Sequence, residues 1–411
     1  MSRDPAAEDR LYDAAVVGAG PTGLAAALAL NYVGAHVALI GSLPEARSEW
    51  RDTRTAALLA GSIDMLKAIG VWTDLAPHAA PLKAIRIIDA SNSLLRAPEI
   101  IFEARELGLE AFGYNIPNTV LVETLYARAR DALGAVVAAN VKDLALGEHE
   151  ARLDLDEGAP VAARLVVGAD GRQSLCREAA GIAASKWRYE QSALATDFKH
   201  VFPHDGVSTE LHKEAGSVTT VPLPDPCASS LIWVGPAAEI TALLRYEAET
   251  FRETLQERLG GLLGRITETG VRAEFPVAGL TAATLAAHRT ALVGEAAHIL
   301  PPIGAQGLNL GLRDAAALAD CVATALRQGD DPGGESVLAA YRDTRRLDVL
   351  TRAVGVDLLS RSLLSGLMPI QAARGLFLHG LNALPPLRRM VMRLGLTPPT
   401  ELPSLMRPAA N

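Results

Sequence analysis

The apolar and polar positions along the chain follow two patterns. One predicts strands that alternate with helices, and the other predicts an antiparallel sheet. Near the amino terminus, an apolar strand pattern at 13–17 is followed by glycines, a helical pattern at 24–30 and a second strand pattern at 36–40. Apolar runs at 165–167 and 291–293 are also each followed by a turn that contains glycine. Strands that alternate with helices in this way are typical of a parallel α/β sheet.

A different pattern occupies the middle of the chain. The stretches ATDFKHVF, STELHKEAGSVTTVPL and SSLIWVG alternate apolar with polar residues. This period of two predicts an antiparallel sheet over about 184–280, and we expect the segment 99–116 to join it. Beyond residue 313 the pattern becomes helical.

The composition is that of an ordinary globular protein. Of 411 residues, 49% are hydrophobic and 21% are charged, which is enough material for two domains. The net charge of -8, without basic runs among aromatic residues, argues against nucleic-acid binding. Cys176, Cys227 and Cys321 lie far apart, so neither a metal site nor a disulfide framework is predicted. With no signal-peptide pattern at 1–10 and no long apolar run, we expect a cytoplasmic protein.

The first turn has the spacing of a phosphate cradle. Gly18, Gly20 and Gly23 form G-x-G-x-x-G between a strand pattern and a helix pattern. In such a turn the first glycine permits the bend, the second lets the backbone approach a pyrophosphate, and the third allows close packing. The helix amino terminus directs its free N–H groups at the phosphates. The spacing therefore predicts a dinucleotide cofactor.

The acid that usually ends the second strand and holds a ribose hydroxyl is absent. Gly41 occupies that position, with Ser42 next to it and Glu45 further on. Ser42 and Glu45 are the candidates to replace the acid, and weaker ribose binding is the alternative.

The second and third turns differ in length. GADG at 168–171 places Asp170 before a glycine, as a turn with positive φ requires, and Arg172 and Arg177 are candidates to meet anions or acidic neighbours.

The third turn lies in GEAAHILPPIGAQGLNLGLRD at 294–314. Its prolines and glycines occur where an apolar strand should lead directly into a helix.

Together the three turns resemble the motifs of the class A flavoprotein monooxygenases, which are G-x-G-x-x-G, a mid-chain DG, and GD-x-x-H-x-x-x-P. The third motif continues as GQG-x-N-x-G-x-x-D, and this form is most similar to the ubiquinone-biosynthesis hydroxylases. Further likenesses are DTRTAAL at 52–58, IPNTVLVETL at 116–125, YEQSA at 189–193 and YRDTRRLD at 341–348. The resemblance covers about residues 10–400.

The resemblance implies an α/β fold similar to para-hydroxybenzoate hydroxylase. In that fold a Rossmann-like FAD-binding domain carries an inserted antiparallel-sheet substrate domain and ends in helices. The expected FAD-binding domain is discontinuous, at 1–90, 117–183 and 281–345; the substrate domain, a mixed sheet, is expected at 91–116 and 184–280, and the helical C-terminal region at 346–411.

The resemblance also implies roles for single residues. Those that match cofactor-binding positions are Gly18, Gly20, Gly23, Arg54, Asn118, Asp170, Glu295, Gly307, Leu308 and Asn309. Pro302 matches the proline above the flavin ring, Gln306 matches the glutamine of GQG, and these two and His298 are the candidates for catalysis. For His298 an acid–base role and a structural role both remain open.

In such proteins the glycines of the third motif let backbone N–H groups approach the pyrimidine edge of the flavin. The helix that begins near Gly307 adds its positive end there. Two departures from the family pattern stand out. Glu295 occupies a position where most relatives carry Asp, and AGQG is here GAQG, with Gly304 and Ala305 exchanged. The exchange predicts a modest rearrangement of the backbone.

The resemblance implies an FAD-dependent monooxygenase that hydroxylates the aromatic ring of a polyprenylated ubiquinone precursor through a flavin C4a-hydroperoxide. The implied cofactors are FAD, O2 and a transient electron donor, NAD(P)H or another reductant, and no metal is expected. Two alternatives remain open. One is a flavin oxygenase or reductase acting on another aromatic or isoprenoid substrate. The other is a non-catalytic FAD-binding member of a quinone-biosynthesis complex, whose other proteins would be partners.

The charge of the tail is opposite to that of the rest of the chain. Between Asp357 and Glu401 there are five arginines and no acid, a charge of +5, which leaves -8 minus 5, or -13, elsewhere. The window is also rich in leucine and methionine. Segment 358–400 is therefore a candidate for peripheral contact with the inner face of the cytoplasmic membrane. Packing on the protein body or contact with a partner protein is the alternative.

Overall fold

The computed structural model describes residues 11–43, 52–90, 98–213, 216–301, 304–364, 379–397 and 400–408. Its strands are β1 Leu11–Val17, β2 Val37–Ile40, β3 Thr55–Leu59, β4 Ala80–Pro81, β5 Ala84–Asp89, β6 Ile100–Glu103, β7 Gly113–Pro117, β8 Ala135–Val137, β9 Val141–Leu146, β10 Ala151–Leu155, β11 Val161–Gly168, β12 Ala184–His200, β13 Val207–Lys213, β14 Gly216–Pro222, β15 Ala228–Pro236, β16 Ile266–Thr269, β17 Ala273–Ala282, β18 Ala286–Ala287, β19 Thr290–Leu292 and β20 His298–Ile299. Its α-helices are α1 Pro21–Tyr32, α2 Ala60–Ala68, α3 Trp72–Leu75, α4 Asn118–Ala132, α5 Leu175–Ala179, α6 Ala237–Arg245, α7 Ala248–Leu259, α8 Gln306–Gln328, α9 Glu335–Leu364 and α10 Pro385–Leu396.

The first sheet is the α/β layer that the amino-terminal pattern predicted. Its order is β18-β19-β11-β1-β2-β8, and every pairing from β19 to β8 is parallel. Val17 lies opposite Gly168, and Gly168 lies opposite Leu292. Because these three strands end at one level of one sheet edge, the three motif turns that follow them are neighbours in space.

The second sheet has the order β20-β17-β12-β15-β14-β13-β5-β6 and is antiparallel except where β13 pairs with β5. It has its own core, in which Phe198 and Trp233 pack with Phe251 of α7. An antiparallel sheet in the middle of the chain is therefore confirmed. At one edge, β20 belongs to the third motif, so this sheet adjoins the motif turns.

The membership of this sheet differs from the predicted division of the chain. Strand β5, in the segment assigned to the FAD-binding domain, lies in the second sheet because Ala84 pairs with Val207. Of the segment 99–116, β6 joins the second sheet, whereas β7 pairs with β3 and β4 in a small third sheet. Local sequence patterns do not indicate which distant strands pair with each other. The domain boundaries themselves stay a prediction.

Helices close the structure after the third motif, as expected. The long helices α8 and α9 pack together, and α8 also packs on α1. Helix α10 places Met392 in a buried cluster with Ile100, Phe102 and Phe112 next to the second sheet. Within the described ranges, no helix combines the length and apolar character that a bilayer crossing needs.

Candidate functional site

The first motif is held so tightly that two of its three glycines cannot carry a side chain. Gly18 has φ +114°, and a Cβ on it would overlap the carbonyl of Ala169 in the second motif. A Cβ on Gly23 would overlap the carbonyl of Gly18. These two glycines therefore serve the close packing of α1 on the sheet.

Gly20 has a different environment. It caps the amino terminus of α1 with φ -81°, and no described side chain caps that terminus. A Cβ on Gly20 would meet no described atom within 4 Å. Among the described residues, nothing therefore blocks the first-turn N–H groups of α1, which is the arrangement that a pyrophosphate requires.

The structure gives a physical reason for the missing acid at the end of β2. A Cβ on Gly41 would lie 2.8 Å from the backbone nitrogen of Ala19 in the first motif. No side chain fits at Gly41 without movement of that turn. Ser42 is exposed next to it, and Glu45 lies outside the described residues.

In the second motif, one carboxylate oxygen of Asp170 accepts a hydrogen bond from the backbone, and the other has no partner among the described residues. Its Oδ2 accepts a hydrogen bond from the backbone N–H of Cys176 at 3.0 Å, at the start of α5. Its Oδ1 is buried and has no hydrogen-bond partner among the described residues. A buried carboxylate oxygen without a partner is costly, so a ligand hydroxyl that donates to it would be stabilising.

The two arginines of the second motif have different environments. Arg177 is 2% exposed and donates to the carbonyl oxygens of Ala296 at 2.8 Å and Arg172 at 3.1 Å. Arg172 instead lies 3.5 Å from Glu295, and both side chains are about half exposed. The Arg172 pair therefore adds little stability, whereas Arg177 binds the second motif to the third.

The third motif brings α8 close to α1. A Cβ on Gly311 would lie 2.9 Å from Oγ1 of Thr22 in α1 and 3.1 Å from Cα of Gly294. Gly294 itself has φ +60° and donates its N–H to Oδ2 of Asp314 at 3.1 Å. These contacts place the amino termini of both helices at the same edge of the first sheet.

Residues 304–309 at the start of α8 form the segment that we call the flavin-edge loop. Gly304 and Ala305 both have positive φ, +62° and +55°. Because Gly and Ala are exchanged in GAQG, Ala305 carries a Cβ in a left-handed conformation that glycine would adopt with less strain. The strain costs about 1 kcal/mol. No described side chain caps α8, and a Cβ on Gly307 would meet no described atom within 4 Å. The N–H groups of the first turn, including those of Gly307 and Leu308, are therefore available to a ligand.

Asn309 is buried, and its side chain is fully used by the protein. Its Oδ1 accepts from the N–H of Leu59 at 2.8 Å and from Oγ of Ser62 at 2.7 Å. Its Nδ2 donates to the carbonyls of Ala57 at 2.8 Å and Ala305 at 2.6 Å. Asn309 thus anchors the flavin-edge loop to β3 and α2, and any contact with a cofactor would involve its backbone.

Of the candidate catalytic residues, the structure describes His298 and Gln306, and the side chains of both form hydrogen bonds with the protein. His298 is 2% exposed, and its Nε2 lies 2.6 Å from Oδ2 of Asp314. This burial favours the structural reading of His298. Gln306 accepts a hydrogen bond on Oε1 from Arg352 and donates from Nε2 to the carbonyl of Gly304. Pro302 lies outside the described residues.

Arg54 and Asn118 come together around Asp52, which sequence reasoning had not singled out. Arg54 donates to both carboxylate oxygens of Asp52 at 2.8 Å, and its guanidinium lies 4.7 Å from the ring centre of Phe275. Nδ2 of Asn118 donates to Asp52 at 3.2 Å, while its buried Oδ1 has no partner among the described residues. Although burial raises the pKa of Asp52, the contacts with Arg54 and Asn118 bring it below its ordinary value.

An ionic cluster of Arg313, Asp314, Arg345 and Asp348 lies behind the third motif. Arg345 donates to Oδ1 of Asp314 at 2.8 Å and to Oδ2 of Asp348 at 2.6 Å, and Arg313 donates to the same Asp348 oxygen at 2.9 Å. Burial opposes ionisation of both acids, yet the neighbouring cations hold the pKa of each below its usual range. The cluster fixes α8 against α9. Arg345 and Asp348 belong to YRDTRRLD, and their role depends on this packing.

These features fit FAD. Two helix termini with free N–H groups meet at one sheet edge, where a pyrophosphate and the electron-rich edge of a flavin each find donors. The buried oxygens Oδ1 of Asp170 and Oδ1 of Asn118, which have no partner within the described ranges, are polar atoms at the motifs expected to contact the cofactor. The glycine positions at 20 and 307 leave the space that a ligand would fill.

A family model described as an FAD binding domain matches residues 11–355. The chain belongs to this FAD-binding family. Ubiquinone hydroxylase UbiL of Rhodospirillum rubrum is 34% identical over 413 residues, covering 97% of this chain and 93% of that protein. The 3-demethoxyubiquinol 3-hydroxylase of Escherichia coli is 29% identical, covering 93% of this chain and 97% of that protein. The expected class, an FAD-dependent hydroxylase, is confirmed.

Solved structures agree on the fold. The p-nitrophenol 4-monooxygenase PnpA of Pseudomonas putida superposes with a TM-score of 0.77 at 18% identity, covering 95% of this chain and 99% of that one. The 2-methyl-3-hydroxypyridine-5-carboxylic acid oxygenase superposes with a TM-score of 0.68 at 22% identity, covering 86% and 93%. The predicted fold, a Rossmann-like domain with an inserted sheet and a helical C-terminus, is confirmed.

Proposed function

We propose that this FAD-dependent monooxygenase hydroxylates the aromatic ring of a polyprenylated ubiquinone precursor, with O2 as oxidant and NAD(P)H as electron donor. The observation that carries the proposal is the likeness to UbiL over nearly the whole of both chains, together with a flavin-edge loop that presents free N–H groups. When bound, FAD supplies the activation of oxygen. The chain's residues must hold the ring, exclude water and stabilise charge.

We assign the cofactor contacts by region. The amino terminus of α1 at Gly20 receives the pyrophosphate, and the free oxygen of Asp170 receives a hydroxyl of the ribityl chain. The N–H groups of Gly307 and Leu308 face the pyrimidine edge, where reduction places negative charge, and a preorganised donor there costs no reorganisation. Arg54, which lies over Phe275 of the second sheet, borders the space that we assign to the substrate ring.

Quinone analysis of a deletion strain tests the function. Loss of this protein should stop ubiquinone synthesis at one ring-hydroxylation step, so that the prenylated precursor lacking that hydroxyl accumulates. The wild-type gene should restore ubiquinone, and a Gly20→Val variant that lacks FAD should not. Restoration by the FAD-free variant would favour a scaffold in a biosynthetic complex. An unchanged quinone profile in the deletion strain would favour another aromatic or isoprenoid substrate.

We also propose that α10 contacts an anionic membrane in which such a precursor resides. Met390 and Leu394 are 52% and 60% exposed, and with Arg389, Arg393 and neighbouring residues they line a shallow cavity of about 330 Å³. Arg388 points inward and pairs with Glu106 at 2.8 Å, so it fixes the helix on the protein body. An apolar face with a basic margin matches the chemistry of an anionic lipid surface.

Vesicle flotation tests this contact. The wild type should float with anionic vesicles at low salt and be released as salt rises, because surface charges are screened. Arg389→Gln/Arg393→Gln should remain behind, whereas Lys142→Gln/Arg152→Gln, which removes one exposed charge from β9 and one from β10, should float normally. If wild type and both variants all stay behind, the membrane contact is wrong and a protein partner is favoured.

A further inference from the structure

We propose that Arg352 is a positioning residue for the flavin-edge loop and that it acts through Gln306. Arg352 lies in the second half of α9, is 9% exposed, and was not among the residues that the family motifs indicate. The inference rests on the FAD-binding assignment and concerns how the first turn of α8 is held.

The link from Arg352 to the loop consists of two hydrogen bonds in series. Nη1 of Arg352 donates to Oε1 of Gln306 at 2.9 Å. Nε2 of Gln306 then donates to the carbonyl oxygen of Gly304 at 2.9 Å. Because Gly304 and Ala305 adopt left-handed conformations, this part of the backbone needs external support to stay in one arrangement.

The other side of Arg352 is held by the end of α10. Nη1 also donates to the carbonyl of Gly395 at 2.9 Å, and Nη2 donates to the carbonyl of Thr397 at 2.8 Å. Nε lies 3.6 Å from Oδ1 of Asp348 in the ionic cluster. With partners on three sides, the guanidinium has little rotational freedom, so it is a rigid support for Gln306.

This support bears on the flavin because Gln306 is the first residue of α8. The next N–H groups are those of Gly307 and Leu308 in the first turn, which no described side chain caps. Fixed dipoles stabilise a developing charge better than mobile ones, since they need no reorientation when the charge appears. Arg352 should therefore favour the reduced, negatively charged flavin over the oxidised one.

Arg352→Gln, Gln306→Ala and the double variant should be compared, with Arg346→Gln as the control. Arg346 lies on the same helix and is exposed. The readouts are the FAD dissociation constant and the midpoint potential of the bound flavin, neither of which requires the quinone substrate. Each single variant should weaken binding of reduced relative to oxidised FAD by about tenfold, which lowers the two-electron potential by about 30 mV. The control should match the wild type.

The double variant separates positioning from general stability. If Arg352 acts through Gln306, the midpoint potential of the double variant should be no lower than that of Gln306→Ala alone. Arg352→Lys, which keeps the charge but shortens the reach, should recover part of the loss. If Arg352→Gln folds poorly, Gln306→Ala still breaks the link without removing a buried charge. A lowered melting temperature with a wild-type potential, or losses that simply add, would overturn the proposal.

Discussion

Arg177 donates from Nη1 to the carbonyl oxygen of Ala296 at 2.8 Å, and so joins the second motif to the third. The same guanidinium donates to the carbonyl of Arg172. A buried cation thus holds together two turns that are far apart in sequence and adjacent at the sheet edge. The motifs are one site because of contacts of this kind, in addition to the strands that carry them.

Arg177→Met should lower the free energy of unfolding by about 2–4 kcal/mol, because one buried and one partly buried carbonyl lose their donor. It should also weaken FAD binding, since we assign both turns to the cofactor site. Arg172→Met is the matched control: its pair with Glu295 is half exposed, so a change below about 1 kcal/mol is expected. Urea unfolding of the apoproteins and flavin titration measure both effects. Equal losses in the two variants would contradict the assigned role of Arg177.

Gly20→Val should abolish most FAD binding and leave the apoprotein stable, because the new side chain enters open space at an ordinary φ. Gly23→Ala should instead destabilise the fold itself, since its Cβ overlaps the carbonyl of Gly18. Flavin absorbance of the purified proteins and melting temperatures of the apoproteins distinguish the two. A yellow Gly20→Val protein with the wild-type flavin content would refute the pyrophosphate site.

Gly307→Leu should retain part of the FAD yet lose hydroxylation, because its side chain enters the space next to the first-turn donors. Gly355→Leu in α9 is the control, since that glycine is also exposed with no described atom within 4 Å of its Cβ. The control should keep full activity. Hydroxylated quinol formed by cells that carry each variant gives the answer, and normal output from Gly307→Leu would assign the loop another role.

Ala305→Gly should raise the stability of the protein by about 0.5–1 kcal/mol, because glycine adopts the left-handed conformation at residue 305 without strain. Gly304→Ala should lower the stability, because it puts a Cβ on a residue with a left-handed conformation. Thermal unfolding of the apoproteins tests the pair. Two changes of the same sign would show that the strain lies elsewhere in the loop.

Asp314 should contribute to the acid sensitivity of the fold. Its pKa is lowered in the folded state despite burial, because His298, Arg345 and the N–H of Gly294 favour the ionised form. Its contribution is therefore present above the unfolded pKa near 4 and lost as pH falls through the lower folded value. Asp314→Asn should cost about 3–5 kcal/mol at pH 7, because Arg345 then keeps only Asp348 as a charged partner among the described residues and the buried His298 loses its carboxylate. The deficit should shrink towards pH 2, and a deficit independent of pH between 5 and 2 would contradict this account.

The local pattern of the sequence was sufficient for the three turns, the antiparallel middle and the helical end. Glycine spacing and the periods of strands and helices are properties of neighbouring residues, so they can be recognised without the fold. The same holds for the departure at Gly41, which the sequence revealed but did not explain. The roles carried over to single site residues stay predictions, and Pro302 lies outside the described residues.

The tertiary structure alone decided which side chains face the site and which support it. His298 and Asn309 belong to motifs at the site, yet their side chains are held by Asp314 and by β3 and α2. Arg352 reaches Gln306 from another helix, and β5 pairs with β13 across a long stretch of chain. Such contacts depend on how packed elements are oriented, and a side chain's partner across a fold is set by three-dimensional packing rather than by its sequence neighbours.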